Sequence, residues 1–107
     1  LKLSISDIRA FANGYRKAPD SPKGFSAQRQ ADERNANISW HPVPGAVGYN
    51  ILWGIDKDKL YQAYQVFADK DSKLELRALN KGQDYYLAIE AFNENGVSST
   101  SPIVHIP

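Results

Sequence analysis

The sequence predicts an all-β protein: a seven-stranded antiparallel sandwich of two sheets, with one extra strand at the N-terminus. Three observations predict it. Apolar residues recur with a period of two in several short segments, which puts alternate side chains on opposite faces of a strand. Gly, Pro, Asn and Asp separate these segments at the spacing of a two-sheet sandwich. No stretch carries a helical period of useful length.

Taken in order, Leu1-Lys2-Leu3-Ser4-Ile5-Ser6 alternates apolar and polar, and Asp7-Ile8-Arg9-Ala10-Phe11 continues it. Residues 1–11 read as a terminal strand. Residues 12–21 carry Asn13-Gly14, Pro19 and several charges, and read as a linker. Residues 22–107 form the main domain. Phe25 and Ala27 open its first strand, and the charged run Asp32-Glu33-Arg34 closes it. Ala36, Ile38 and Trp40 alternate in the second, which Pro42-Val43-Pro44-Gly45 turns. Tyr49, Ile51 and Trp53 alternate in the third, ended by Gly54. A weaker segment spans 60–67. Leu74, Leu76 and Ala78 make the fifth strand. Tyr85, Leu87, Ile89 and Ala91 make the sixth, and Asn95-Gly96 reverses the chain. The stretch 99–106 completes the set.

Parity sorts the side chains. Phe25, Ile38, Trp40, Tyr49, Ile51, Leu79, Tyr85, Leu87, Ile89 and Ala91 fall on inward phases and form the expected core. Burying each large aromatic contributes about 2–3 kcal/mol. Leu52, Tyr86 and Phe92 fall on the opposite phase of the third and sixth strands, which the family resemblance described below makes neighbours, and Tyr64 is expected to support the same face. An exposed apolar patch of this kind marks a contact surface.

The composition excludes several functions. One domain is the natural reading of 107 residues. The net charge of +1, from 13 basic and 12 acidic residues, supplies no field that would draw nucleic acid or an anionic membrane. No apolar run approaches the roughly 20 residues that cross a bilayer. The absence of cysteine rules out disulfides and thiolate zinc sites. The chain opens on Leu1 and reads as a piece of a longer protein.

Catalytic patterns are missing. General acid–base work needs two carboxylates in environments that split their pKa values, whereas the acids here fall in turns or on outward phases. Asp56-Lys57-Asp58 and Asp69-Lys70-Asp71 read as charged hairpin tips, since calcium needs six to eight oxygens in one place. His41 and His105 lack a third ligand. No Gly-x-Ser-x-Gly elbow occurs. Asn37-Ile38-Ser39 matches a glycosylation sequon with Asn37 on the outward phase, a match short enough to arise by chance. Neither a metal nor another cofactor is expected.

The block from Leu79 to Ser98 carries a family resemblance. Leu79 precedes Tyr85 across a Lys81-Gly82 turn, the Tyr85 strand follows, and Ala91, Asn93, Gly96 and Ser98 keep the spacing of a strand and its turn. Together with Ile38-Ser39-Trp40 and Gly48-Tyr49-Asn50-Ile51-Leu52-Trp53, this resembles an immunoglobulin-like sandwich of the fibronectin type III kind. The resemblance implies that Leu79 and Tyr85 make the family's tyrosine corner, the hydroxyl bonding to nearby backbone. Lys81 departs from the pattern, where proline is commoner. No Arg-Gly-Asp tripeptide is present, so integrin-type binding is not implied.

Residues 5–11 resemble the last strand of a galactose-binding-like sandwich. The order of sandwich, linker and fibronectin type III module resembles the C-terminus of secreted bacterial glycoside hydrolases of family 43. It implies a non-catalytic spacer or docking module in a secreted, periplasmic or cell-surface protein. Its partners would be neighbouring domains of the parent chain. Two alternatives stand beside it: a carbohydrate-binding module that stacks polysaccharide on the aromatics of that face, Tyr86 and Phe92 with Tyr64, and a cell-surface adhesion or receptor module. The terminal strand at 1–11 is expected to pair with a sheet edge of its own domain or of another copy, because its own N–H and C=O groups need partners.

Overall fold

The structure is a computed structural model that describes residues 17–69 and 71–107. Among the described residues it is a two-sheet sandwich without helix. One sheet has three strands: β1 (Ser26–Arg29), β2 (Ala36–Ser39) and β5 (Lys73–Leu76), in the order β1-β2-β5. The other has five: β3 (Gly48–Gly54), β4 (Gln62–Phe67), β6 (Tyr85–Asn93), β7 (Gly96–Val97) and β8 (Val104–Ile106). Their order is β4-β3-β6-β7, and β8 also pairs with β6. Every pairing is antiparallel.

The seven strands expected of residues 22–107 become eight because the last one is interrupted. Between β7 and β8, serines take over the ladder. Ser98 donates its amide to Ala91 at 2.7 Å and Ser101 donates to Ile89 at 2.8 Å. Their hydroxyls accept from the amides of the same two residues. Pro102, which has no amide hydrogen, then keeps the ladder from resuming until Val104. The extra N-terminal strand at 1–11 lies outside the described residues.

The inward phases meet as the alternation requires. Ile38, Ile51, Leu87 and Ile89 are sealed from solvent, and Trp40, Tyr49, Leu79, Tyr85 and Ala91 are buried around them. Trp40 spans the gap between the sheets and packs on Tyr49, ring centres 5.3 Å apart and planes tilted by 56°, an offset geometry aromatic pairs favour. Phe25 is only half-buried. It packs against the core from just before β1, where Gly24 at φ +67° turns the chain. The fifth strand stops at Leu76 instead of reaching Ala78, because Ala78 adopts φ 68° and leaves the extended region.

After Ala78 the chain forms the corner. Leu79 is buried and donates its amide to the Arg34 carbonyl at 2.8 Å. The amide of Asn80 donates to the Tyr85 hydroxyl at 2.8 Å. Gly82 supplies the positive φ the turn needs. Arg29 lies over the Tyr85 ring, 5.3 Å from its centre. Its guanidinium donates to the carbonyls of Glu33, Asn80, Gln83 and Pro107.

At the opposite pole the chain enters. Residues 17–21, part of the stretch read as linker, run against the domain. Pro19 and Pro22 are buried. Asn93 donates from its side chain to the Lys17 carbonyl at 3.1 Å. Ala18 lies against Gly96, where an added methyl would stand 3.6 Å from it.

Candidate functional site

The outer face of the five-stranded sheet is built in four rows, fixed by register. Phe67, Gly48, Phe92 and Val97 form the row nearest the entry pole. Gln65, Asn50 and Glu90 form the second, Ala63, Leu52 and Ala88 the third, and Gly54, Tyr86 and His105 the fourth.

Each row has its own chemistry. Phe92 is half-buried because its ring lies over Gly48: a Cβ there would stand 2.6 Å from Phe92 Cζ. Phe67 and Val97 flank it, both about half exposed. In the second row Asn50 donates from Nδ2 to Glu90 Oε2 at 2.9 Å, so a polar bar crosses the face. Leu52 is half-buried beyond it, diagonal to Tyr86. The Tyr86 and His105 rings stack at 4.8 Å with planes 14° apart, and His105 Nε2 stands 3.7 Å from Asp84 Oδ1.

The expected patch is therefore two patches. Phe92 belongs with Phe67 and Val97, while Leu52 and Tyr86 lie beyond the polar bar. Tyr64 belongs to neither. Its register partner is Ile51, and opposite residues of an antiparallel pair share a face, so Tyr64 lies on the inward phase. It stays 48% exposed because β4 is an edge strand with no neighbour to cover it among the described residues. The weak apolar pattern of 60–67 left the phase of this strand open. For the same reason Phe67 carried no signal of exposure.

Several carboxylates are occupied locally. Asp56 Oδ1 accepts from the Asp58 amide at 2.9 Å, which closes a turn. Arg34 holds Asp32 below the ordinary carboxylate range by a two-point side-chain contact. Gln30 and then Arg77 do the same for Glu75, through hydrogen bonds of 2.6 Å each. Among the described residues no group of three or more His, Asp or Glu is placed to hold a metal ion, and no helix is long and apolar enough to cross a membrane. The outer face therefore carries two partly exposed apolar patches on a sheet whose inner side is packed into the core.

Comparison with known proteins agrees with this geometry. No curated protein sequence matches the chain. The chain is similar to the FN1–FN3 fragment of chicken contactin 1, with a TM-score of 0.74 and 26% identity over 83% of this chain; it spans 32% of that fragment. An Fn3-like protein from Clostridium thermocellum superposes with a TM-score of 0.73 at 22% identity, over 85% of this chain and 94% of that one. The fn3 domain of human contactin 1 superposes with a TM-score of 0.73 at 19% identity, over 84% of this chain and 78% of that one. The model of the fibronectin type III domain matches residues 20–106. The chain belongs to the fibronectin type III family.

Proposed function

We propose that this domain is a non-catalytic spacer and docking module in a secreted, multidomain carbohydrate-degrading enzyme. One observation carries the mechanical part: the segment from Lys17 to Pro107 is tied to the sandwich at both of its ends, which lie at opposite poles. Entry is held by Lys17 on Asn93, at the C-terminal end of β6. Exit is held by Arg29 on the Pro107 carbonyl, beside the Tyr85 end of the same strand. The nine residues of β6 rise about 3.3 Å each, so the attachment points stand roughly 27 Å apart. A strand this well packed does not stretch, and neighbours joined to it keep their separation. The Phe92 patch at the entry pole and the Leu52–Tyr86 patch near the exit offer each neighbour an apolar seat. The enzyme context rests on the order of terminal strand, linker and module read from the sequence.

The test replaces residues 20–106 of the parent protein with a flexible Gly/Ser linker. Small-angle scattering should then show a broadened distribution of interdomain distances, with turnover of a small soluble substrate unchanged. Unchanged scattering, or loss of soluble turnover, would sink the spacer reading. The likeness to contactin favours adhesion as the second reading. A run of similar sandwiches upstream in the parent chain would select it.

A further inference from the structure

β4 is an open edge. It pairs with β3 and, among the described residues, with nothing on its other side. Natural edge strands are blunted by charge, proline or a bulge. Gln62-Ala63-Tyr64-Gln65-Val66-Phe67 has no charge and no proline, and its register with β3 runs unbroken. Every residue but Val66 is exposed. Tyr61, Tyr64 and Phe67 present large apolar side chains that are 83%, 48% and 53% exposed.

Parity shows which backbone groups are free. Ala68 donates to the Val47 carbonyl at 2.8 Å. Alternation then turns the groups of Gln62, Tyr64 and Val66 toward β3, and those of Ala63, Gln65 and Phe67 outward. A second copy of β4, laid antiparallel, matches these outward groups only if the two-fold axis falls on a residue. With Tyr64 on the axis the segment is self-complementary. Ala63 meets Gln65 of the second copy, Gln62 meets Val66, and Tyr61 meets Phe67 as an aromatic pair. The paired stretch ends there, since the chain turns away after Phe67 and before Tyr61.

We propose that the chain self-associates through β4, a second copy adding antiparallel about Tyr64 so that two five-stranded sheets become one. This stands independently of the spacer reading and of the strand-mediated association expected of residues 1–11, which lie outside the described residues. A single pair of short edges buries little area, so the dimer is weak and exchanges rapidly.

Sedimentation velocity on the 107-residue chain should show a shift toward dimer as concentration approaches the millimolar range. Gln65→Pro should abolish it, since that amide points outward and its loss spares the β3 ladder. Circular dichroism checks that this variant folds. Tyr64→Lys, which sets like charges across the axis, serves as a second disrupting variant. The chain has no cysteine, so single introduced thiols report the register. Tyr64→Cys sits on the axis in a non-hydrogen-bonded pair, close enough for a disulfide, and should give a covalent dimer on mild oxidation. Ala63→Cys faces Gln65 of the second copy and should not. A chain that remains monomeric at the highest concentration overturns the proposal. So does a dimer that survives both disrupting variants, or one that crosslinks through Ala63→Cys instead of Tyr64→Cys.

Discussion

Ser101 completes the hydrogen bonding of Ile89 with both its backbone and its side chain. Its amide donates to the Ile89 carbonyl at 2.8 Å, and its hydroxyl accepts from the Ile89 amide at 3.1 Å. Ile89 is fully buried and Ser101 is 4% exposed, so water cannot replace either bond. Ser101→Ala would strand the Ile89 amide, and an unsatisfied buried donor costs about 1–3 kcal/mol. Urea denaturation should show a lower midpoint with an unchanged slope. A midpoint equal to the parent's would mean that another group satisfies this amide.

Two tyrosine hydroxyls perform a related task. That of Tyr85 accepts from the Asn80 amide at 2.8 Å, and that of Tyr49 accepts from the Val43 amide at 2.9 Å. Each ring is buried and each bond pins a turn to a core strand. Tyr85→Phe and Tyr49→Phe should each cost about 0.5–1.5 kcal/mol. The sites share no partner, so the double variant should lose close to the sum. A strongly non-additive double variant would show that the two turns are coupled through Trp40, which touches the Tyr49 ring.

These same residues show what the sequence could reveal. The inward set around Ile51, Leu87 and Ile89 was legible because a period of two over a buried strand leaves one choice of face. The Tyr85 corner was legible through its spacing from Leu79. The role of Ser101 was not, since a serine that replaces a strand residue in the ladder looks like any turn serine. The outer face was partly legible: Leu52, Tyr86 and Phe92 do share it. What divides it is a hydrogen bond between Asn50 and Glu90, residues 40 apart in sequence. Tyr64 was placed on the wrong face because the 60–67 segment mixes polar and apolar residues on both phases. Only its register with β3 resolves them.

Gly54 ends β3 under the turn that follows it. Lys59 donates its amide to Asp56 at 2.9 Å, which folds the turn back over the strand. A Cβ on Gly54 would stand 2.1 Å from the Lys59 carbonyl oxygen. That obstacle is backbone, so no side-chain rotation relieves it. Gly54→Ala should cost about 1–3 kcal/mol or more through strain, and it should broaden the amide signals of residues 55–60 in NMR spectra. Gly45→Ala is the control for space. Nothing stands within 4 Å of its Cβ position, and any loss there comes from its φ of +80°. Equal losses at the two sites would show that backbone conformation, not the Lys59 contact, sets the cost at Gly54.

The exposed face of the three-stranded sheet holds a pH-sensitive tie. Gln30 donates to Asn37 at 2.9 Å and to Glu75 at 2.6 Å, joining β2 to β5 across their register. These contacts, with Arg77 second to Gln30, hold Glu75 below its ordinary pKa. A depressed carboxylate stabilises the fold above its unfolded pKa, and that contribution fades as pH falls through the folded value. The tie therefore acts at neutral pH and is lost only in acid, below the usual glutamate range. NMR titration should place Glu75 below a reference glutamate. Gln30→Ala should move it upward further than Arg77→Ala does, because the Gln30 bond is the larger cause. If Arg77→Ala produces the larger rise, charge rather than the neutral hydrogen bond holds the carboxylate. If neither moves it, Glu75 is free in solution and the tie to Gln30 carries no weight.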